Sequence, residues 1–254
     1  MITVGILTDT TGASFQRLIS SIPASCTHLC IVDNTNDPKA QLVWKQLEKK
    51  LQVEIIDHPT AITSFSEARN QVITQCQTEW LLFLDSDEVF TASEQDVSRI
   101  IEQADLEGAA AISLNRSDVF HGKTLQYGEA GRQKIIRLFR PSKTTYTGAT
   151  HEVLIVNGSV LSSSLVIKHH AHQDSSAFIS AVSEYASRVS LEKSTGFWRN
   201  SIEIFCFPLG KFVYNLLFKL GVKDGWRGVT YASCMSLHSL LVRIYRYEHF
   251  LAKK

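Results

Sequence analysis

Short apolar runs alternate with amphipathic stretches over the first hundred residues. ITVGILT (2–8), HLCIVD (28–33) and QVEIID (52–57) have strand length and strand composition. Between the second and third lies DPKAQLVWKQLEKKL. There Asp37 suits an N-cap, Pro38 suits the first helical position, and Val43, Leu47 and Leu51 recur at helical spacing. Ser64-x-x-Glu67 has the capping-box pattern and predicts a helix over about 66–76. TEWLLFLD is then apolar without alternation, as in strands covered on both faces. Thr91-x-x-Glu94 predicts the next helix, through Val97, Ile100 and Ile101.

After about residue 108 the rhythm changes. AAAISL, QKIIRLF, EVLIV and SLVIKHH read as strands without intervening helices. Residues 175–192 return to helical spacing, with Phe178, Val182, Tyr185 and Val189 on one face. From about 197 the chain is aromatic, basic and helical in pieces, interrupted at Gly221 and Gly225. This order predicts an α/β fold: a Rossmann-like, doubly wound, mainly parallel sheet with a mixed β extension and a C-terminal helical tail. Residues 1–192 are expected to form one domain, its halves meeting near 107/108, and residues 193–254 the tail.

Composition sharpens the tail. Of 254 residues, 44% are hydrophobic and the formal net charge is +1, which excludes a disordered chain and gives no reason to expect nucleic-acid binding. Yet residues 1–196 carry a net −5, while residues 197–254 carry +6 and 12 of the 24 aromatic residues. A basic aromatic tail on an acidic body suits an anionic, apolar partner such as a membrane surface. The longest apolar stretch, Ile204–Leu220, is broken by Pro208, Lys211 and Lys219, which argues for an interfacial helix over a spanning one. The start, MITVGILTDT, has neither the charged region nor the cleavage site of a signal peptide. The five cysteines form no CxxC pair, as expected of reduced cytosolic thiols.

In open parallel sheets, ligands bind beyond the carboxyl ends of the strands. Thr8-Asp9-Thr10, Asp33-Asn34-Thr35-Asn36-Asp37 and Asp85-Ser86-Asp87-Glu88 collect at that edge. In extended chain, Asp85 and Asp87 point the same way and can hold Mg²⁺ or Mn²⁺; the alternative is a polar turn capping the next helix. Asp33 can accept hydrogen bonds from a nucleoside, or simply shape the turn. Arg69 can face a diphosphate, or be an ordinary salt-bridged arginine. In Thr147-Gly148-Ala149-Thr150-His151-Glu152 the small residues admit a ligand, and Glu152 can take a proton from a hydroxyl. His169-His170-Ala171-His172 can supply a metal ligand or end a strand.

Taken in order, IVDNTND, FSEARNQVI, TEWLLFLDSDEVF, RLFRPS and TGATHEVL resemble glycosyltransferase family 2, enzymes of the GT-A fold. The resemblance covers roughly residues 2–172. The tail FPLGKFVYNLLFKLGVKDGWRG further resembles bacterial lipopolysaccharide-core β-glucosyltransferases, which are peripheral to the cytoplasmic membrane. The resemblance implies a metal-dependent, inverting hexosyl transfer from a nucleotide diphosphate sugar to a lipid-linked or lipopolysaccharide-core glycan. It implies that Thr8, Asp33, Arg69 and Asp85 bind the nucleotide sugar, that Asp87, Asp85 and His170 hold the metal, and that Glu152 is the base. It further implies a peripheral protein on the inner face of the cell membrane. The chain departs from the family pattern in two loops: DNTND lacks the usual Gly-Ser pair, and TDTTGASF lacks the usual Asn-Glu start. Both lie at the nucleoside pocket.

Two other readings remain at this point. A nucleotidyltransferase also uses a sheet-edge aspartate pair and Mg²⁺, but it favours a Gly-rich, Lys-bearing phosphate loop, and TDTTGASFQR has no Lys. A catalytically inactive GT-A domain would bind a glycan or partner; retention of Asp85, Asp87 and Glu152 argues against it.

Overall fold

The structure is a computed structural model, which describes residues 1–252 apart from 27, 36, 58–63, 149–151, 173 and 191–196. Two compact units emerge. The first comprises Met1–Arg116 and Lys134–His169, and the second Ser117–Gln133 and His170–Lys254. The division therefore differs from the expected 1–192 and 193–254. The segment 117–133 and the helix expected at 175–192 fold with the tail.

In the first unit the chain runs β1 (Ile2–Thr8), α1 (Ala13–Ser21), β2 (His28–Asp33), α2 (Ala40–Glu48), β3 (Gln52–Asp57), α3 (Phe65–Gln75), β4 (Trp80–Asp85), β5 (Glu88–Phe90) and α4 (Glu94–Leu106). Strand β6 (Ala111–Phe120) starts in this unit and leads into β7 (Lys123–Thr124) of the second. Then come β8 (Gln133–Phe139), β9 (Thr144–Thr147), β10 (Val153–Val156) and β11 (Val160–His169). The main sheet has the order β3-β2-β1-β4-β8-β6-β11-β5. Strands β1 to β4 are parallel, while β8 joins β4, and β11 joins β5, antiparallel. Strands β9 and β10 form a separate hairpin. This is the expected mainly parallel sheet with a mixed extension.

Both faces of the sheet are covered, which is why β4 can be apolar throughout. On one face α1, α2 and α4 contribute Phe15, Leu18, Trp44, Val97 and Ala104. On the other, α3 contributes Ala68 and Val72 beside Phe83 and Tyr146. Each large side chain so buried is worth about 1.5–3 kcal/mol. Gly5 of β1 sets how closely α3 approaches: a Cβ there would lie 2.6 Å from Val72 Cγ1.

Ser64 caps α3 as expected, its hydroxyl accepting from Glu67 N at 3.3 Å. Asp37 shapes a turn before α2, accepting from Lys39 N at 2.9 Å, and the helix begins only at Ala40. The box expected at Thr91 is not the cap of α4. Ser93 accepts from Asp96 N, while Thr91 donates through N and Oγ1 to Val166 O. Strand pairing beyond β5 holds Thr91 extended and moves the helix start on by two residues.

The second unit adds α5 (Ser175–Ser190), α6 (Phe197–Val213), a π-helical turn (Tyr214–Phe218), a short 3-10 turn (Gly221–Asp224) and α7 (Trp226–Ala252). Helix α5 buries Phe178, Val182, Ala186 and Ser190; Tyr185, expected on that face, is exposed and stacks on His238. The i, i+4 row wins because α7 packs along it. The segment 117–133 is bound by buried polar groups. Asp224 accepts from Gln126 N and Tyr127 N, Asn215 Oδ1 from Glu129 N, and Asp118 from the Tyr231 hydroxyl. Gly225 takes φ +65°, which lets α7 start abruptly. Arg199–Phe218 is long and apolar enough to cross a membrane by length and composition, and Pro208 lies inside α6.

Candidate active site

The parallel strands end together. Register pairs Thr8 with Asp33 and Leu7 with Asp85, so Thr8, Asp33 and Asp85 end neighbouring strands at the carboxyl edge of the sheet. Each is held differently. Thr8 is buried and turns inward on its own loop, its hydroxyl donating to Thr10 O at 2.6 Å. Asp33 is buried too. Its Oδ2 accepts from the Trp44 indole at 2.6 Å and its Oδ1 from Thr35 N at 2.9 Å. Asp33 thus ties β2 to α2 and to its own turn, the turn-shaping role weighed for it above.

Asp85 is the hub. Its Oδ1 accepts from Arg69 Nη2 at 2.9 Å and its Oδ2 from Arg137 Nη2 at 2.5 Å. Burial works against its charged form, but Arg137 and Arg69 outweigh burial and hold the carboxyl well below the usual carboxylate range. Arg137 also reaches Glu88 Oε1 at 2.9 Å. Glu88 is 0% exposed; its other oxygen accepts from Asp85 N at 3.1 Å, and Arg116 stands 3.7 Å away. Burial alone would lower the Arg137 pKa, but Asp85 and Glu88 raise it well above its ordinary value.

Helix α3 delivers Arg69 to this hub and spans to the other side of the site. The Arg69 guanidinium lies over the Phe83 and Tyr146 rings, 4.7 and 5.3 Å from their centroids. Its Nε is 3.8 Å from Glu152 Oε1, and its Nη1 is buried without an acceptor. The next residue, Asn70, exchanges hydrogen bonds with Tyr146 O and N at 2.9 and 2.8 Å, and one turn back the Ser66 hydroxyl donates to Gly148 O. Helix α3 therefore fixes the strand that leads to Glu152, whose side chain is 25% exposed. Ala149, Thr150 and His151 of the candidate loop lie outside the described residues.

Asp87 sits in the turn between β4 and β5, 34% exposed, with His169 Nε2 at 3.3 Å from its Oδ2. Antiparallel pairing of β11 with β5 sets His169 opposite Glu88 and brings its ring to Asp87. The imidazole at Asp87 is thus His169, whereas His170 belongs to the second unit. Among the described residues no cluster of three or more His, Cys, Asp or Glu side chains is arranged to hold a metal. One carboxylate and one imidazole nonetheless suit Mn²⁺ or Mg²⁺ that takes its remaining ligands from substrate phosphate and water.

Sequence reading did not single out Arg137 or Arg116, and it placed Glu88 and His169 only as members of DSDE and HHAH. RLFRPS, DSDE and HHAH contain three of the four, but their meeting depends on antiparallel pairings that strand patterns alone do not specify.

No curated protein matches the chain. Among solved structures it is similar to S. aureus TarS residues 1–349, at 13% identity over 99% of this chain and 91% of that one, with a TM-score of 0.47. The complexes of the same TarS fragment with UDP (13% identity, 99% and 91% covered) and with UDP-GlcNAc (12%, 99% and 92%) score the same 0.47. The model of glycosyl transferase family 2 matches residues 9–160, more than half the chain, across the strands and loops that carry the acidic edge. With the GT-A sheet described above, that match makes the chain a member of glycosyl transferase family 2, a glycosyltransferase.

Proposed function

We propose that the enzyme transfers a hexose, with inversion, from a nucleotide diphosphate sugar to a glycan hydroxyl. The observation that carries this reading is the pair of carboxylates flanking Arg69: Asp85 at 2.9 Å and Glu152 at 3.8 Å. They offer a donor side and an acceptor side joined by one cation. The acceptor hydroxyl attacks the anomeric carbon as the bond to the diphosphate oxygen breaks on the opposite face. Glu152 takes the hydroxyl proton, and the electron pair of the broken bond leaves on the nucleoside diphosphate. Arg69, 3.8 Å from Glu152, holds the carboxylate in place, so little reorganisation is needed as the proton moves.

Asp87 and His169 are the residues that would hold Mg²⁺ or Mn²⁺, with Asp85 behind them. Such a cation neutralises charge on the leaving diphosphate. Asp85 itself is engaged at both oxygens by guanidinium groups, which favours a role in orienting those cations toward the donor over direct metal binding. His170 was the expected metal ligand, but the imidazole 3.3 Å from Asp87 is that of its neighbour His169, and we assign the role there.

The acceptor we assign is a hydroxyl of a lipid-linked or lipopolysaccharide-core glycan, met at the cytoplasmic face of the membrane. The exposed apolar side chains of α6 support it. A thermal-shift screen of UDP-, GDP-, dTDP- and CMP-sugars, each with and without Mn²⁺, tests the donor half. Stabilisation by one nucleotide class only with metal is expected. Stabilisation by none, alongside no turnover, would remove the proposed reaction.

A further inference from the structure

Helix α6 is inside out. Its inward face is polar: Asn200 Nδ2 donates to Arg243 O at 3.0 Å, and Glu203, 7% exposed, meets Arg199 at 2.8 Å and Arg243 at 3.7 Å. The Arg243 guanidinium also covers the Phe207 ring, 4.1 Å from its centroid. Its outward face is apolar. Ile202, Phe205 and Leu209, at helical spacing, are 65%, 79% and 65% exposed. The apolar surface continues through Leu217 and Phe218 of the π-helical turn to Trp226. In water such an arrangement is costly, because apolar area faces solvent while polar groups are desolvated. The buried bonds to α7 prevent the helix from rolling over.

The charges say what covers this face. Both acids between Arg199 and Val229, Glu203 and Asp224, are buried. The cations stay at the rim beside aromatic rings: Lys219 over Tyr214 at 5.6 Å, Lys223 over Tyr127 at 5.4 Å and Arg227 over Trp226 at 4.8 Å. Apolar surface edged by lysine, arginine and amphipathic rings is complementary to anionic headgroups above acyl chains. It is not complementary to itself: a two-fold contact between copies would press Lys219 and Lys223 against the same cations of the other chain. Nor does it suit a span, since α7, to which α6 is bonded, carries Arg243, Arg246 and His238 along its length.

We propose that the outward face of α6 and the turn after it, Ile202 to Trp226, is an interfacial docking surface for anionic lipid bilayer. The helix lies in the plane of the interface, with Phe205, Leu209 and Phe218 among the acyl chains and Lys219, Lys223 and Arg227 at the headgroups. None of these residues belongs to the group around Asp85 and Glu152.

The test is flotation of the full chain with vesicles of phosphatidylglycerol and phosphatidylethanolamine, against vesicles of phosphatidylcholine alone. Binding to the anionic vesicles, weakened by salt, is expected. The variant Phe205→Ser/Phe218→Ser, changed only at exposed positions, is expected to bind about tenfold or more weakly. Lys219→Glu/Lys223→Glu should lose the preference for anionic lipid. Both variants should keep the wild-type melting temperature and any donor-induced stabilisation, so a failure of docking is separable from a failure of the proposed reaction. No flotation of the full chain overturns the proposal. So does a dimer in sedimentation that Phe205→Ser/Phe218→Ser splits without any vesicle binding. Retention in vesicles after an alkaline carbonate wash also overturns it, because an interfacial helix is released and a spanning one is not.

Discussion

Arg137→Met removes the cation on which two carboxylates converge. Asp85 loses its 2.5 Å partner but keeps Arg69 at 2.9 Å. Glu88 fares worse. It is 0% exposed, and after the change the partners left to its charge among the described residues are Arg116 at 3.7 Å and the backbone N–H of Asp85 at 3.1 Å. Stranding a buried charge costs about 3–5 kcal/mol, and the surviving partners place this case near 3 kcal/mol. Adding Glu88→Met removes the stranded charge, so the double variant should recover about 2 kcal/mol of the loss. The assay is urea unfolding in a Trp198→Phe/Trp226→Phe background. The remaining indoles, Trp44 and Trp80, are both buried in the sheet unit and report its unfolding. A cost below about 1 kcal/mol for Arg137→Met, or simple additivity of the two changes, would refute the view that these charges act as one buried network.

Four further outcomes follow from the same geometry. Because the folded state holds the Asp85 carboxyl below its ordinary value of 3.8, its stabilising effect is complete above that pH and is lost as acidity rises toward the folded value. The stability gap between wild type and Asp85→Asn should therefore narrow below pH 3.8 in urea titrations; a constant gap would contradict the assignment. Glu152→Gln should slow turnover by about 10²–10⁴-fold with donor affinity by calorimetry nearly unchanged, and a collapse of affinity would make Glu152 a binding residue. Asp87→Ala should abolish the Mn²⁺ dependence of donor-induced stabilisation together with turnover; unchanged metal dependence would remove Asp87 from the metal site. Trp44→Phe, which deletes the indole donor to buried Asp33, should cost about 1.5–3 kcal/mol in unfolding, and a neutral result would show that Asp33 does not need that partner.

The parallel half of the fold was legible because each strand is an unbroken apolar run and each polar loop follows one. Asp85 and Asp87 could be placed at the ligand edge for the same reason. What the pattern could not supply was pairing. QKIIRLF reads as a strand, but nothing in it says that Arg137 crosses to Asp85; that follows from antiparallel alignment with β4. In HHAH the choice between adjacent imidazoles turns on the alternation of β11 against β5, and His169 meets Asp87. Glu88 reads as one more acidic residue at the ligand edge, yet its side chain is fully buried between Arg137 and Arg116 from distant strands. The helix α6 was legible as apolar, but not as inverted, because the polar residues that face inward are matched by Arg243, 43 residues from Asn200.

The interlaced second unit has a consequence for synthesis of the chain. Residues 117–133 leave the ribosome long before the groups that bind them: Gln126 waits 98 residues for Asp224, and Asp118 waits 113 for Tyr231. At about 5–20 residues per second the wait is on the order of 5–20 s. Throughout it Phe120 and Leu125 have no Tyr231 or Cys234 to pack against. The nascent enzyme thus carries a sticky, unfinished segment until α7 emerges, and proteases or chaperones acting on the growing chain will find it there.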